Sequence, residues 1–159
     1  MKNKEKSFSL IEVIISVFLI TTGTLGAFAL IQRTVAFTSI NSSRLVASYL
    51  AQEGVEVVRN IRDVNWLTKV NWDNGLSFCS MGCEADYNDS SLSSYSSRFL
   101  KISSEGFYNY DSGENTIYRR KITITSPEVD ILEVLVDVEW QERGRTHTVS
   151  VLEKLYNWR

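Results

Sequence analysis

The sequence predicts an α+β protein in which one long N-terminal helix packs on a C-terminal antiparallel β-sheet. Three observations carry this prediction. Residues 8–31 form an apolar run with one charge, an apolar stripe at helical spacing follows as far as residue 64, and residues 99–159 alternate between apolar and polar side chains. Helices repeat every 3.6 residues and strands every two, so the change of period marks the change of structure.

Composition argues against several classes of function. The 159 residues carry a net charge of −2, and no basic run interleaves with aromatic residues, so the chain lacks the footprint of a nucleic-acid-binding protein. One histidine and two cysteines leave little material for a metal site or a catalytic triad. No nucleophile elbow, phosphate-binding loop or dinucleotide motif occurs, and His147 is interpreted as an ordinary strand residue. We therefore expect neither an enzyme nor a cofactor or metal.

The N-terminus is typical of a membrane-inserted segment. Residues 1–7 contain three lysines and one glutamate. The apolar run that follows has about 24 residues, enough to cross a ~30 Å hydrocarbon layer as a helix. Since segments rich in lysine and arginine remain on the cytoplasmic side of a membrane, residues 1–7 are predicted to be cytoplasmic and residues 32–159 to form an extracytoplasmic part.

Three interpretations of this segment compete, and Glu12 bears on each. The run is a plain single-pass anchor, a secretory signal peptide cut after Ala29, or an anchor whose short leader is removed between Ser7 and Phe8. An acid at the centre of a membrane helix costs roughly 2.5–3.5 kcal/mol, so it needs a partner. A new α-amine on Phe8 would be that partner, because residues four apart share a helix face.

Residues 7–12, Ser-Phe-Ser-Leu-Ile-Glu, and the uncharged run after them resemble the processing site of type IV prepilins and type II secretion pseudopilins. The resemblance implies a pilin-like fold, cleavage before Phe8 by a prepilin peptidase, N-methylation of Phe8, and an assembly role for Glu12 at the N-terminus of a neighbouring subunit. The family usually has glycine before the cut, and this chain has Ser7.

The function that this resemblance implies is a structural subunit of a type IV pilus or a secretion filament. Its partners would be the prepilin peptidase, other pilins bound through the N-terminal helix, and the inner membrane. The threonine-rich hairpin and the last residues, 155–159, resemble minor pilins of the V type and minor pseudopilins of the I type. Two other classes stay open: a membrane-anchored binding module that never polymerises, and a secreted globular protein cut after Ala29.

The helix is predicted to run without a break to about residue 63, since no proline interrupts it. Gly23 and Gly26 are the places where it would unwind locally. Arg62 and its charged neighbours are expected to lie off the apolar stripe. The stripe consists of Val46, Tyr49, Leu50, Gly54, Val57, Val58, Ile61 and Val64.

Residues 64–98 are interpreted as a long irregular loop anchored by Trp66, Trp72 and Phe78. Outside the cytoplasm, Cys79 and Cys83 favour a small disulfide loop; free thiols and a zinc site that borrows two further ligands are the alternatives. Residues 86–89, Asp-Tyr-Asn-Asp, are interpreted as a solvated turn rather than a calcium site, because the EF-hand spacing fails.

Five strand candidates make up the sheet. They are Phe99–Ser103, Gly106–Tyr110, Thr116–Thr125, Ile131–Trp140 and Arg145–Leu155. Turns are predicted at residues 111–115 and 141–144, and Pro127 is expected to end the third strand. Because the strands alternate, Arg119 and Lys121 should face the acids of the next strand on a solvated side of the sheet.

Overall fold

A computed structural model describes residues 9–158 and has the predicted α+β arrangement, a long N-terminal helix packed against a C-terminal antiparallel sheet. The elements are α1 Leu10–Leu67, a 3₁₀ helix Ser77–Met81, β1 Cys83–Glu84, β2 Ser93–Ser94, β3 Lys101–Ile102, β4 Tyr108–Asn109, β5 Glu114–Asn115, β6 Tyr118–Glu128, β7 Ile131–Glu142 and β8 Arg145–Tyr156. The chain divides into two compact units, Met1–Ser42 and Ser43–Arg159, and we call the second unit the head.

The strands of the head form two antiparallel sheets. The larger has the order β2-β1-β6-β7-β8, and the smaller has the order β4-β3-β5. Strands β6, β7 and β8 are consecutive in sequence and neighbours in space, because short turns connect them. The β7–β8 turn uses Arg143 at φ 52° and Gly144 at φ 73°. Two residues with positive φ match the twist of a two-residue hairpin.

The core of the head lies between α1 and the inner face of the larger sheet. Buried residues of β6 and β7 alternate along each strand, as the period of two requires. Gly54 marks a close approach of helix and sheet, since a Cβ added there would lie 2.9 Å from Val136 Cγ1. The helix contributes Ala47, Leu50, Ala51, Gly54, Val55, Val57, Val58 and Ile61 to this core.

In the first unit, α1 is the one element of residues 9–42, and most of its side chains are exposed. Gly23 and Gly26 lie inside the helix, so the structure shows no unwinding at either residue. The hydroxyl of Thr21 donates to Val17 O at 2.9 Å, and that of Thr24 donates to Ile20 O at 2.7 Å. Such bonds satisfy the hydroxyls within the helix itself.

The helical half of the prediction needs three corrections. The helix continues to Leu67, beyond the predicted end. Tyr49 and Val64 are exposed, because the sheet covers a narrower side of the helix than the stripe suggested. Arg62 is buried at 8% exposure, with its guanidinium 4.6 Å from the Trp66 ring. Stacking on an aromatic face lets a cation lie on the covered side.

The connecting segment also differs from the prediction. Trp72 is buried and Trp66 packs against the core, but Phe78 is 51% exposed and lies outside the core. Residues 64–98 are not entirely irregular, since β1 pairs with both β2 and β6 and so extends the larger sheet.

The strand candidates were wrong in their bounds and in one assignment. The two candidates at residues 99–110 contain only the short strands β3 and β4, and the predicted turn at 111–115 contains β5, which pairs with β3. Strand β6 runs through Pro127 to Glu128 because the register shifts after Thr125, and a bulge tolerates a residue without an N–H. Strand β7 extends to Glu142, which leaves Arg143 and Gly144 alone as the turn.

Candidate functional site

The apolar segment of α1 carries one acid. Glu12 lies in the first turn of the helix, and its amide donates to Ser9 O at 3.0 Å. A helix N-terminus favours a negative charge. The carboxylate is exposed and makes no ion pair with any residue in the described range 9–158. The predicted processing residues, Ser7 and Phe8, lie outside the described residues.

The chain has one described helix, near the N-terminus, that is long and apolar enough to cross a membrane. The side chains from Leu10 to Thr34 are all exposed. An exposed apolar surface of this length is compatible with a single-pass membrane protein, since lipid would cover it.

A buried arginine ties three segments of the head together. Arg120 is 0% exposed. Its Nη1 donates to Leu50 O at 3.0 Å and to Glu53 Oε1 at 2.6 Å, and its Nη2 donates to Ala85 O at 2.6 Å. The strand alternation places residue 120 on the inner face of β6, beneath the helix. One guanidinium therefore links α1, β6 and the segment after β1.

A second buried charge holds the chain after β2. The carboxylate of Glu84 is 2% exposed and accepts from Arg98 Nε and from the hydroxyl of Ser96, both at 2.8 Å. The guanidinium of Arg98 also lies 4.8 Å from the Tyr110 ring. A buried carboxylate needs such donors, because an unpaired charge would carry its full desolvation cost. Glu84 thus fixes where residues 96–98 lie.

The predicted turn at residues 86–89 is present, but it is not simply solvated. The amide of Asp89 donates to Asp86 O at 3.2 Å, which closes the turn. Asp86 is 6% exposed, and its Oδ1 accepts from the amide of Tyr110 at 2.8 Å. Burial, with the nearby charges of Asp89 and Asp111, raises the pKa of Asp86. No group of three or more metal-ligating side chains occurs within residues 9–158.

Tyr110 packs inside the head beside these charges. Its hydroxyl donates to Arg120 O at 3.3 Å. Burial is the main cause that raises the pKa of Tyr110 to about 12. The ring of Tyr110 belongs to the hydrophobic core of the head.

Cys79 and Cys83 are joined by a disulfide, with their Cα atoms 5.3 Å apart. Both cysteines are fully buried, and the bond closes a loop that contains the end of the 3₁₀ helix. Gly82 lies inside this loop at φ 111°, and a Cβ there would collide with Lys121 Cε. The loop therefore packs directly against strand β6.

On the outer face of the larger sheet, side chains of opposite charge face each other across β6 and β7. Register sets Arg119 opposite Glu139 and Lys121 opposite Asp137, as the alternation predicted. His147 lies on the inner side, where its ring stacks on Trp140 with centroids 5.2 Å apart. These groups support pairing between strands.

Sequence reasoning missed the buried charges Arg120, Glu84 and Asp86. One signal was available, since the alternation that turns Tyr118 and Ile122 inward also turns Arg120 inward. The partners of Glu84 and Asp86 come from distant segments without a repeating pattern, so no local signal marked them. Comparisons with protein-family models, curated proteins and solved structures find no match to this chain.

Proposed function

We propose that the chain is a filament subunit of the pilin class, a minor pilin or pseudopilin, that is processed and N-methylated at Phe8. The single observation that carries the proposal is Glu12, one acid within an exposed apolar helix and without an ion-pair partner in residues 9–158 of its own chain. A plain anchor gains nothing from such a charge.

Two interactions drive assembly: a charge pair at Glu12, and packing of apolar helices against each other in place of lipid. Cleavage before Phe8 removes the basic leader and frees an α-amine, which the Glu12 carboxylate of an adjacent subunit binds. Neighbouring apolar helices then replace lipid around the segment from Leu10 to Ile31. Head-to-tail contacts of this kind do not close on themselves, so they build an open helical filament. The folded head, held by its disulfide and buried charges, stays outside.

Mass spectrometry of the N-terminus tests the proposal directly. Protein isolated from its native host should begin with N-methylated Phe8. A chain that begins at Met1 would point to a membrane-anchored binding module, and a chain that begins at Leu30 would point to a secreted protein. Either of those results overturns the proposal.

A further inference from the structure

Strand β8 forms an open edge of the larger sheet. The strand order ends at β8, so within the described residues β7 is its one neighbour. All 12 residues of β8 pair with β7 without a register shift. A strand paired on one side presents a row of backbone N–H and C=O groups that a further strand can bind.

The hydrogen bonds between β8 and β7 determine which residues of β8 turn their backbone groups toward the open side. Directly beyond β8, the amide of Asn157 donates to Asp130 O at 3.0 Å. Backbone groups of an antiparallel strand point alternately to one neighbour and the other. Odd-numbered residues of β8 therefore bond to β7, and even-numbered residues, from Thr146 to Tyr156, turn their backbone groups toward the open side.

The middle of this edge has none of the features that usually block pairing. Native edge strands are protected by proline, by a bulge or by a charged side chain in the middle of the strand. The stretch from Thr146 to Leu152 contains no proline, and His147 is its one residue with an acidic or basic side chain. Leu152 is 58% exposed. The edge is therefore open to a further strand along its central part.

The charges that flank this middle stretch are self-complementary. Arg145 precedes Val149 by the same number of residues by which Glu153 follows it. If two β8 strands pair antiparallel about Val149, Arg145 of each copy lies opposite Glu153 of the other. Within its own chain Glu153 already accepts from Arg59 at 3.0 Å, and its second carboxylate oxygen stays available.

The same register also brings the open backbone groups together in phase. It sets Thr148 opposite Ser150, and both are even-numbered residues whose N–H and C=O groups face the open side. The half-buried Val149 then meets its own counterpart across a pair without hydrogen bonds. A register shifted by one residue would set even-numbered residues, whose backbone groups face the open side, opposite odd-numbered residues, whose backbone groups face β7. Such registers are therefore excluded.

We propose that β8 pairs antiparallel with β8 of a second copy of this chain, across a two-fold axis at Val149. The two five-stranded sheets become one continuous sheet, and both exposed edges are removed. The contact is isologous, since the same surface serves both copies. Opposite charges and apolar side chains facing each other across the strands stabilise it.

The symmetry of this pair fixes how the two heads are oriented. A two-fold axis between antiparallel strands stands perpendicular to their sheet, so helix residues 43–67 of the two copies run in opposite directions. Subunits of one filament, in the proposed function, hold these helices parallel. The contact would therefore join heads of two different filaments or membranes. The pairing itself depends on β8 alone.

Cysteine cross-linking of the full-length chain in detergent tests the register. The two native cysteines are bonded to each other, so a Val149→Cys variant has one free thiol. Facing residues without hydrogen bonds have Cα atoms about 4.5 Å apart, within reach of a disulfide. Mild oxidation should convert most of this variant to a covalent dimer. A Val151→Cys variant, on the same face but about 14 Å from its counterpart, should stay largely monomeric.

Charge exchange tests the ion pairs. Arg145→Glu alone and Glu153→Lys alone should each weaken dimerisation about tenfold, because two facing pairs become repulsive. An equal mixture of the two variants, carrying different tags, should form heterodimers about as well as the wild type, because both facing pairs are again attractive. Loss of the Arg59 contact within the Glu153→Lys chain cannot produce such a rescue.

Three results would overturn the pairing. They are equal cross-linking of the Val149→Cys and Val151→Cys variants, a chain that stays monomeric at every concentration reached, and a cross-link from residue 149 to a different polypeptide in native membranes. An uncleaved N-terminus found together with an intact Val149→Cys dimer would reject the filament function and leave the pairing standing.

Discussion

Replacing Arg120 by methionine should lower the free energy of unfolding of the head by about 2–4 kcal/mol. The guanidinium is completely buried and donates to two backbone carbonyls, Leu50 O and Ala85 O, as well as to Glu53. Methionine fills a similar volume and donates nothing, so Ala85 O would lose its donor, whereas Leu50 O would lose a second bond and keep the intrahelical one from the amide of Gly54.

The magnitude follows from what each partner loses. Ala85 O, left without its donor, costs about 1–3 kcal/mol, and the second bond lost at Leu50 O costs about 0.5–1.5 kcal/mol. The side chain of Glu53 is 32% exposed, so water can replace its partner and the ion pair adds only tenths of a kcal/mol. Methionine also avoids the cost of burying a charge, which offsets part of the loss.

Urea unfolding of the full-length chain in a mild detergent measures this difference. All four tryptophans, Trp66, Trp72, Trp140 and Trp158, lie in the head, so their fluorescence reports on the head alone. Arg119→Met is the matched control, because Arg119 lies on the other face of β6 with its guanidinium 4.0 Å from the Phe99 ring. That control should cost less than about 1 kcal/mol.

The difference in urea midpoint between the two variants tests whether the buried guanidinium stabilises the head. If Arg120→Met unfolds at the same urea concentration as Arg119→Met, with an unchanged slope, the three segments do not depend on the buried guanidinium. In that case the reasoning from lost hydrogen bonds at Ala85 O and Leu50 O is wrong for this head.

Three further predictions concern other parts of the chain. Glu12→Val should insert into membranes as well as the wild type but enter filaments poorly, as immunoblots of sheared filaments against membranes would show; normal incorporation contradicts the charge pairing. Gly54→Ala should lower the stability of the head by about 1–3 kcal/mol, since its Cβ meets Val136 at 2.9 Å, whereas Gly23→Ala, with open space around it, should leave the same urea midpoint unchanged. Because the folded pKa of Tyr110 is about 12 and the unfolded pKa is about 10, the head should lose roughly 2–3 kcal/mol between pH 10 and 12. Tyr110→Phe should remove that part of the loss, and an unchanged pH dependence of the urea midpoint would refute the assignment.

The regular parts of the fold were predictable because their side chains repeat. Alternation along residues 131–140 gave the inner face of β7, and it set Arg119 and Lys121 opposite the acids that the register shows. The long helix was predictable from an uninterrupted run without proline. Its buried side was predicted less well, because the sheet covers a narrower band than the apolar stripe and leaves Tyr49 and Val64 exposed.

The segment between helix and sheet could not be predicted from local pattern. Glu84 and Arg98 are 14 positions apart, and neither stands in a repeating sequence. Glu84 belongs to β1, so its place opposite Arg98 depends on the pairing of β1 with β6. The candidate site differs again, since the proposed partner of Glu12 is the amine of another subunit. For Glu12 the signal is the energetic cost of placing an acid in lipid, and this signal can be recognised from the amino-acid sequence of a single chain.

Three consecutive residues, the last of β1 and the two that follow it, each hold a different part of the head. Glu84 binds residues 96–98, Ala85 O accepts from Arg120, and Asp86 accepts from the amide of Tyr110. The bond from Tyr110 to Asp86 therefore fastens the smaller sheet beside β4, while its turns at residues 104–106 and 111–113 are exposed. Related chains should tolerate insertions and altered lengths in those two turns far better than any change at residues 84–86. Sequence diversity on the head is expected to concentrate there.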